Sequence, residues 1–71
     1  MRGAVVSTHS GYKADEYPVT FELDGVRRTV VDIEDRWYDP ECSYFRVFAD
    51  DAGRYILRQD SRTSQWTARP L

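Results

Sequence analysis

Pro18-Val19-Thr20-Phe21-Glu22-Leu23-Asp24-Gly25-Val26-Arg27-Arg28-Thr29-Val30-Val31-Asp32-Ile33 is the stretch that decides the fold. Val19, Phe21 and Leu23 are apolar, with Thr20, Glu22 and Asp24 between and after them. A period of two belongs to a half-buried strand, because successive strand residues point to opposite faces of the sheet. Asp24-Gly25 then reads as a hairpin turn, since tight two-residue turns need the positive φ that glycine adopts freely. The chain resumes as a strand over 26–33, with Val31 and Ile33 expected inward and Asp32 and Glu34 outward. The same parity carried further would turn Asp35 inward, so a bulge or the strand's end is expected near 34–36.

The alternation returns downstream. Phe45, Val47 and Ala49 share one side of 44–49, and Tyr44, Arg46 and Phe48 the other. Asp39-Pro40 interrupts what precedes it, because proline cannot donate to a ladder and restrains its neighbour; residues 38–43 are therefore expected as a loop. Residues 50–53 form a turn and 54–59 the returning strand. Its Tyr55 and Leu57 join the face of Phe45 and Val47, while Ile56 and Arg58 lie on the reverse. A polar turn over 60–64 leads to a last short strand over 65–68, which Pro70 ends. Ahead of Tyr17, a short strand is expected over 4–7 and a polar loop over 9–16. The fold expected is all-β: a small antiparallel meander of five to six strands in an SH3-like or similar partly open barrel. In domain terms, residues 1–16 are an N-terminal segment with the short strand at 4–7, and residues 17–71 are the barrel. Its expected core is Phe21, Val31, Ile33, Phe45, Val47, Tyr55, Leu57 and Trp66, with Trp37 also read as a core ring.

Length and composition bound the rest. A chain of 71 residues is one domain, and at this size roughly 60% of the unfolded surface can be buried. An aromatic fraction of 14% compensates, because each such ring buries about 150–250 Å². Ten basic and twelve acidic residues give a net charge of −2, a mixed-sign surface without the bulk basicity of a nucleic-acid binder. Lys13 is the one lysine, the other basic residues being arginines. Across 52–71, Arg54, Arg58, Arg62 and Arg69 face a single acid, Asp60. The lone Cys42 excludes an intramolecular disulfide. The first residues lack the apolar stretch of a signal peptide, and no run approaches the ~18 apolar residues of a membrane span. A cytoplasmic protein without membrane contact is expected.

No spacing points to catalysis. Cys42 lies beside Asp39 and Glu41, whose charge opposes thiolate formation, and His9 is the only histidine. The acids Asp32, Glu34, Asp35, Asp39 and Glu41 lack the loop spacing of a calcium site. Zinc would need more cysteine and histidine than the chain holds. The acids are expected to pair instead with Arg46, Arg54 and Arg58. No catalytic residue, metal ligand or cofactor is therefore assigned. One surface stands out: Tyr44, Phe48 and Ile56 interleave with Arg46 and Arg58 on the reverse of the central hairpin, and apolar groups in a row on a solvent face mark partner surfaces. The expectation is a non-enzymatic binding or accessory module contacting a protein partner through Tyr44, Arg46, Phe48, Ile56 and Arg58. The alternative is a nucleic-acid-binding domain using the arginines of 52–71 and an exposed aromatic for stacking. Oligomeric state stays open, since an exposed edge strand can pair with a copy of itself.

The spacing Pro18-x-x-Phe21-x-x-x-Gly25, Val30-x-x-Ile33-x-x-x-Trp37, Phe45-Arg46-Val47, Gly53-x-Tyr55-x-Leu57, Asp60 and Trp66 resembles a small bacterial domain of unknown function. That family occurs free-standing or attached to relatives of Y-family translesion polymerases. The resemblance spans residues 17–68. It implies a link to DNA repair by association and carries over no catalytic residue.

Overall fold

Alternating sequence becomes a continuous ladder in the computed structural model, which describes residues 2–10 and 16–71. The strands are β1 (Arg2–Ser10), β2 (Glu16–Leu23), β3 (Val26–Tyr38), β4 (Cys42–Ala49), β5 (Arg54–Asp60) and β6 (Trp66–Pro70). Each pairs antiparallel with the next in sequence order, and β6 returns to β1 to close a barrel. The described residues contain no helix. The protein is thus an all-β antiparallel barrel of the small SH3-like kind.

Local chemistry sets the turns. Asp24 and Gly25 both take positive φ, 53° and 77°, the geometry whose twist matches the flanking strands. Between β4 and β5, Ala52 takes the left-handed conformation at φ 63°. The turn is closed by Ala49 N–H donating to the Gly53 carbonyl at 2.9 Å and Ala52 N–H donating to the Ala49 carbonyl at 3.0 Å. Between β5 and β6, the Asp60 carboxylate accepts the N–H groups of Arg62 and Thr63 at 2.8 and 3.2 Å.

Phe21, Phe45, Val47, Ala49, Leu57 and Ala68 form the buried core, with Val30, Ile33, Tyr55 and Trp66 half-buried against it. Two expectations about β3 are corrected. Val31 is 60% exposed, because the β3–β4 register shifts between Val30 and Asp32 and again between Ile33 and Asp35. Each bulge inserts one unpaired residue and resets the pleat. Val30 and Ile33 therefore lie opposite the inward residues Ala49 and Val47, and Val31 is the inserted residue. The second shift falls where a bulge was expected, but the strand continues through it to Tyr38. Trp37 then pairs with outward-facing Tyr44 and leaves the core. The loop expected over 38–43 contracts to residues 39–41.

The N-terminal segment is corrected too. β1 extends well beyond 4–7 and is a stave of the barrel: Arg2, Gly3 and Ala4 pair with Ala68, Thr67 and Trp66, and Val5 onward pairs with β2. Ala4 and Val6 pack against the core, while Val5 faces solvent; in sequence the apolar run Ala4-Val5-Val6 concealed that alternation. His9, expected in a loop, lies in β1 with its ring centroid 5.3 Å from that of Tyr17. Of the loop expected over 9–16, residues 11–15 lie outside the described residues.

Candidate functional site

The outer face of β3–β6 follows from the register. With Phe45, Val47 and Leu57 inward, the pleat turns Tyr44, Arg46 and Phe48 of β4 outward beside Arg58, Ile56 and Arg54 of β5. β6 extends two of these rows, setting Thr67 beside Arg58 and Arg69 beside Ile56. β3 adds Trp37 beside Tyr44, Asp35 beside Arg46 and Asp32 beside Phe48. The five residues singled out in sequence therefore share one face.

Their exposure differs from expectation. Ile56 is 7% exposed, flanked by Arg46 and Arg69, and arginine stems in such positions cover apolar neighbours while their heads stay in water. Phe48 is half-buried, with the Arg54 guanidinium 5.2 Å from its ring centroid. Tyr44 is half-buried against Trp37, their rings nearly parallel at 5° and 5.3 Å between centroids. The expected exposed apolar row is thus a covered one. What the face presents to solvent is guanidinium groups across β4–β6 and, on β3, the exposed Asp32 and Asp35 carboxylates and an indole, Trp37 being 40% exposed.

Two acids organise this surface. Glu34 follows Ile33 at the second bulge of β3, and its carboxylate accepts Arg54 Nε at 2.9 and 3.2 Å while lying 3.8 Å from Arg46 Nε. The expected pairing of the acid-rich segment with Arg46 and Arg54 is realised in this one carboxylate; Arg58 is not among its partners. Asp39 builds the β3–β4 turn, accepting the N–H groups of Glu41 at 2.9 Å and Cys42 at 2.7 Å through Oδ1. Its Oδ2 accepts the Tyr44 hydroxyl at 2.9 Å. The Glu41 N–H, the Tyr44 hydroxyl and the Cys42 N–H together hold the Asp39 carboxyl below the usual carboxylate range. The same bond raises the Tyr44 hydroxyl, which therefore stays protonated as a donor. The acceptor is fixed, the Tyr44 ring is oriented, and Trp37 stacks on an anchored partner.

Sequence reasoning missed Trp37, Arg54 and Arg69 as members of this face. Arg69 was recoverable, since alternation from inward Trp66 and Ala68 puts it outward. Trp37 was read as core for its ring size, although an inward Ile33 followed by the bulge expected near 34–36 turns it outward. Elsewhere, an open recess of about 680 Å³ runs along β1 past Glu22, Gly25 and Trp66, and one of about 540 Å³ separates Tyr17 of β2 from residues 33–36 of β3. Among the described residues, no three histidine, cysteine or acidic side chains are grouped to hold a metal ion. Cys42 is buried. Comparison with family models, with curated proteins and with solved structures finds no match to this chain.

Proposed function

We propose that the chain is a non-enzymatic binding module that engages an acidic segment of a protein partner through the outer face of β3–β6. The observation that supports this reading is the set of guanidinium groups around Ile56. Arg46, Arg58 and Arg69 stand on adjacent strands, and Glu34, already held by Arg54, is the one carboxylate that approaches any of them within ion-pair distance among the described residues. Arginine heads carry planar donors suited to carboxylates. The overall charge of −2 favours a short acidic segment over a long polyanion, which the rest of the surface would repel.

The test is Arg46→Ala with Arg58→Ala. The charges of an exposed Arg46 and a half-buried Arg58 contribute about 0–1 kcal/mol each to stability, and truncation also uncovers part of Ile56, so the double variant should melt somewhat below the parent while staying folded. It should lose salt-dependent binding to a capped polyglutamate peptide and the proteins that parent bait retains from lysate. An unchanged binding profile would place the contact elsewhere. The nucleic-acid reading draws on the indole of Trp37, a platform on which a base can stack, and it accords with the repair link implied by the family resemblance. A gel shift with single-stranded oligonucleotides at two salt concentrations separates the readings, since phosphate contacts make affinity fall steeply with salt.

A further inference from the structure

β3 and β2 pair only through Thr29–Val26 and Thr20–Leu23. Beyond that point they diverge. β3 runs on to Tyr38 with β4 along one side, and along its other side residues 31–35 have no strand partner among the described residues. β2 likewise continues back to Glu16 paired with β1 alone. The recess of about 540 Å³ between Tyr17 and residues 33–36 is the space so opened.

Exposed apolar side chains concentrate there. Of the large hydrophobic residues exposed among the described residues, Tyr17, Val19, Val31, Trp37 and Tyr38 all lie on these two diverging segments; the others are Val5, Val26 and Leu71. Within residues 31–35 every charged side chain is acidic, Arg36 following next along the recess: Asp32 and Asp35 face outward opposite Phe48 and Arg46 and make no ion pair among the described residues. A strand laid against this edge would alternate in the pleat. Its outward residues would meet Asp32, Asp35 and the Trp37 ring, and its inward residues Ile33 and the Tyr17 side of the recess.

We propose that the open edge of β3 at residues 31–35 is a strand-addition site for an extended segment of a partner protein in which basic and apolar residues alternate. Backbone hydrogen bonds to the unpaired edge supply affinity, and the alternate side chains supply selectivity. Lysine or arginine outward answers Asp32 and Asp35 and sits over the indole, while valine-like residues inward cover Ile33. This site adjoins the arginine face, since Asp32, Asp35 and Trp37 stand at its β3 margin, but it is reached along the free edge of β3 and its test does not involve Arg46 or Arg58.

The probe is a capped seven-residue peptide alternating lysine and valine, titrated into the full chain while backbone amide shifts are followed. Saturable shifts are expected at residues 31–35 and Tyr17. The glutamate–valine counterpart should bind about tenfold more weakly, with the difference shrinking in high salt. A version with proline at the centre, lacking one donor, should not shift the edge amides. Asp32→Asn with Asp35→Asn should weaken the lysine peptide while the melting temperature stays that of the parent, and Asp32→Lys with Asp35→Lys should reverse the preference between the two peptides. No saturable shift, equal binding of the two peptides, or shifts confined to the arginine face would overturn the proposal. So would sedimentation as a dimer with residues 31–35 already protected from exchange in the free protein, which would make the occupant a second copy.

Discussion

Asp51 ties three parts of the barrel together through one carboxylate. Oδ1 accepts the Gly53 N–H at 2.9 Å, Oδ2 accepts the Tyr55 hydroxyl at 2.5 Å, and Arg28 Nε approaches at 3.4 Å. These contacts, the Tyr55 hydroxyl first, lower the Asp51 carboxyl below its ordinary value of 3.8, and the Arg62 and Thr63 N–H groups do the same for Asp60. A depressed carboxylate binds protons less tightly folded than unfolded, so its stabilisation is complete above the ordinary carboxylate range and is lost as pH falls through the folded value. The Tyr55 hydroxyl, raised above 10.0 by the same bond, has the opposite sign: its contribution is complete below that value and is lost as pH rises through the folded one. Melting temperature against pH should therefore show a plateau with two limbs. Asp51→Asn should make the acid limb shallower and Tyr55→Phe the alkaline limb, and a variant profile parallel to the parent's at both ends would deny Asp51 this role. Beside it, Ala52 occupies the left-handed region at φ 63°, where a Cβ is costly. Ala52→Gly should raise stability by about 0.5–1 kcal/mol, read from denaturant unfolding.

At the scale of elements, β3 carries the fold's departures from regularity. Strands β4 and β5 obey simple alternation, which is why Phe45, Val47 and Leu57 were legible as core from the sequence. Tyr44, Arg46, Phe48, Ile56 and Arg58 were legible as one face for the same reason. Hydrophobicity along β3 reads Val30-Val31-Asp32-Ile33, and nothing in those letters says which valine the partner strand will skip; the register with β4 decides it. A shift of one residue reverses the side chains that follow: the first bulge puts Val31 outside while Ile33 keeps its inward place, and the second turns Trp37 outward. Burial of Ile56 was equally hidden, because it depends on arginines from two flanking strands rather than on its own neighbours. The contrast is measurable. Val31→Ser should change stability by less than about 0.5 kcal/mol, as surface substitutions do. Phe45→Ala, which empties a fully enclosed site touched by Trp66 and Arg36, should cost about 3–5 kcal/mol. That is comparable to the whole stability of about 5 kcal/mol at the lower end for domains, so the Phe45 variant should be largely unfolded at room temperature. A large loss at Val31 would contradict the bulge.

The whole molecule is held closed by its weakest seam. β4 and β5 pair from Cys42–Asp60 to Phe48–Arg54 without interruption, whereas β1 and β6 meet only at Arg2–Ala68, Gly3–Thr67 and Ala4–Trp66. This short ladder joins the two ends of the sequence, so forming it closes the longest loop in the chain, and non-local pairing of that kind is slow. Amide exchange should accordingly be slowest in β4 and β5 and faster at the β1–β6 junction, since local opening follows the least supported contacts. Gly3 sits at the centre of that junction. Its backbone does not take positive φ, and a Cβ built there meets no atom within 4 Å, so neither conformation nor space requires glycine. A strand glycine costs about 0.5–1 kcal/mol through the freedom it loses on folding, and it sets no side-chain neighbour on the β1 side of Thr67. Gly3→Thr should supply that neighbour on the outer face. The expected result is a gain of about 0.5–1 kcal/mol in stability, with exchange slowed at Trp66, Thr67 and Ala68 and little changed in β4. Equal slowing throughout the barrel would mean that the seam opens only with the whole fold, and a loss of stability would mean that the junction needs the glycine after all.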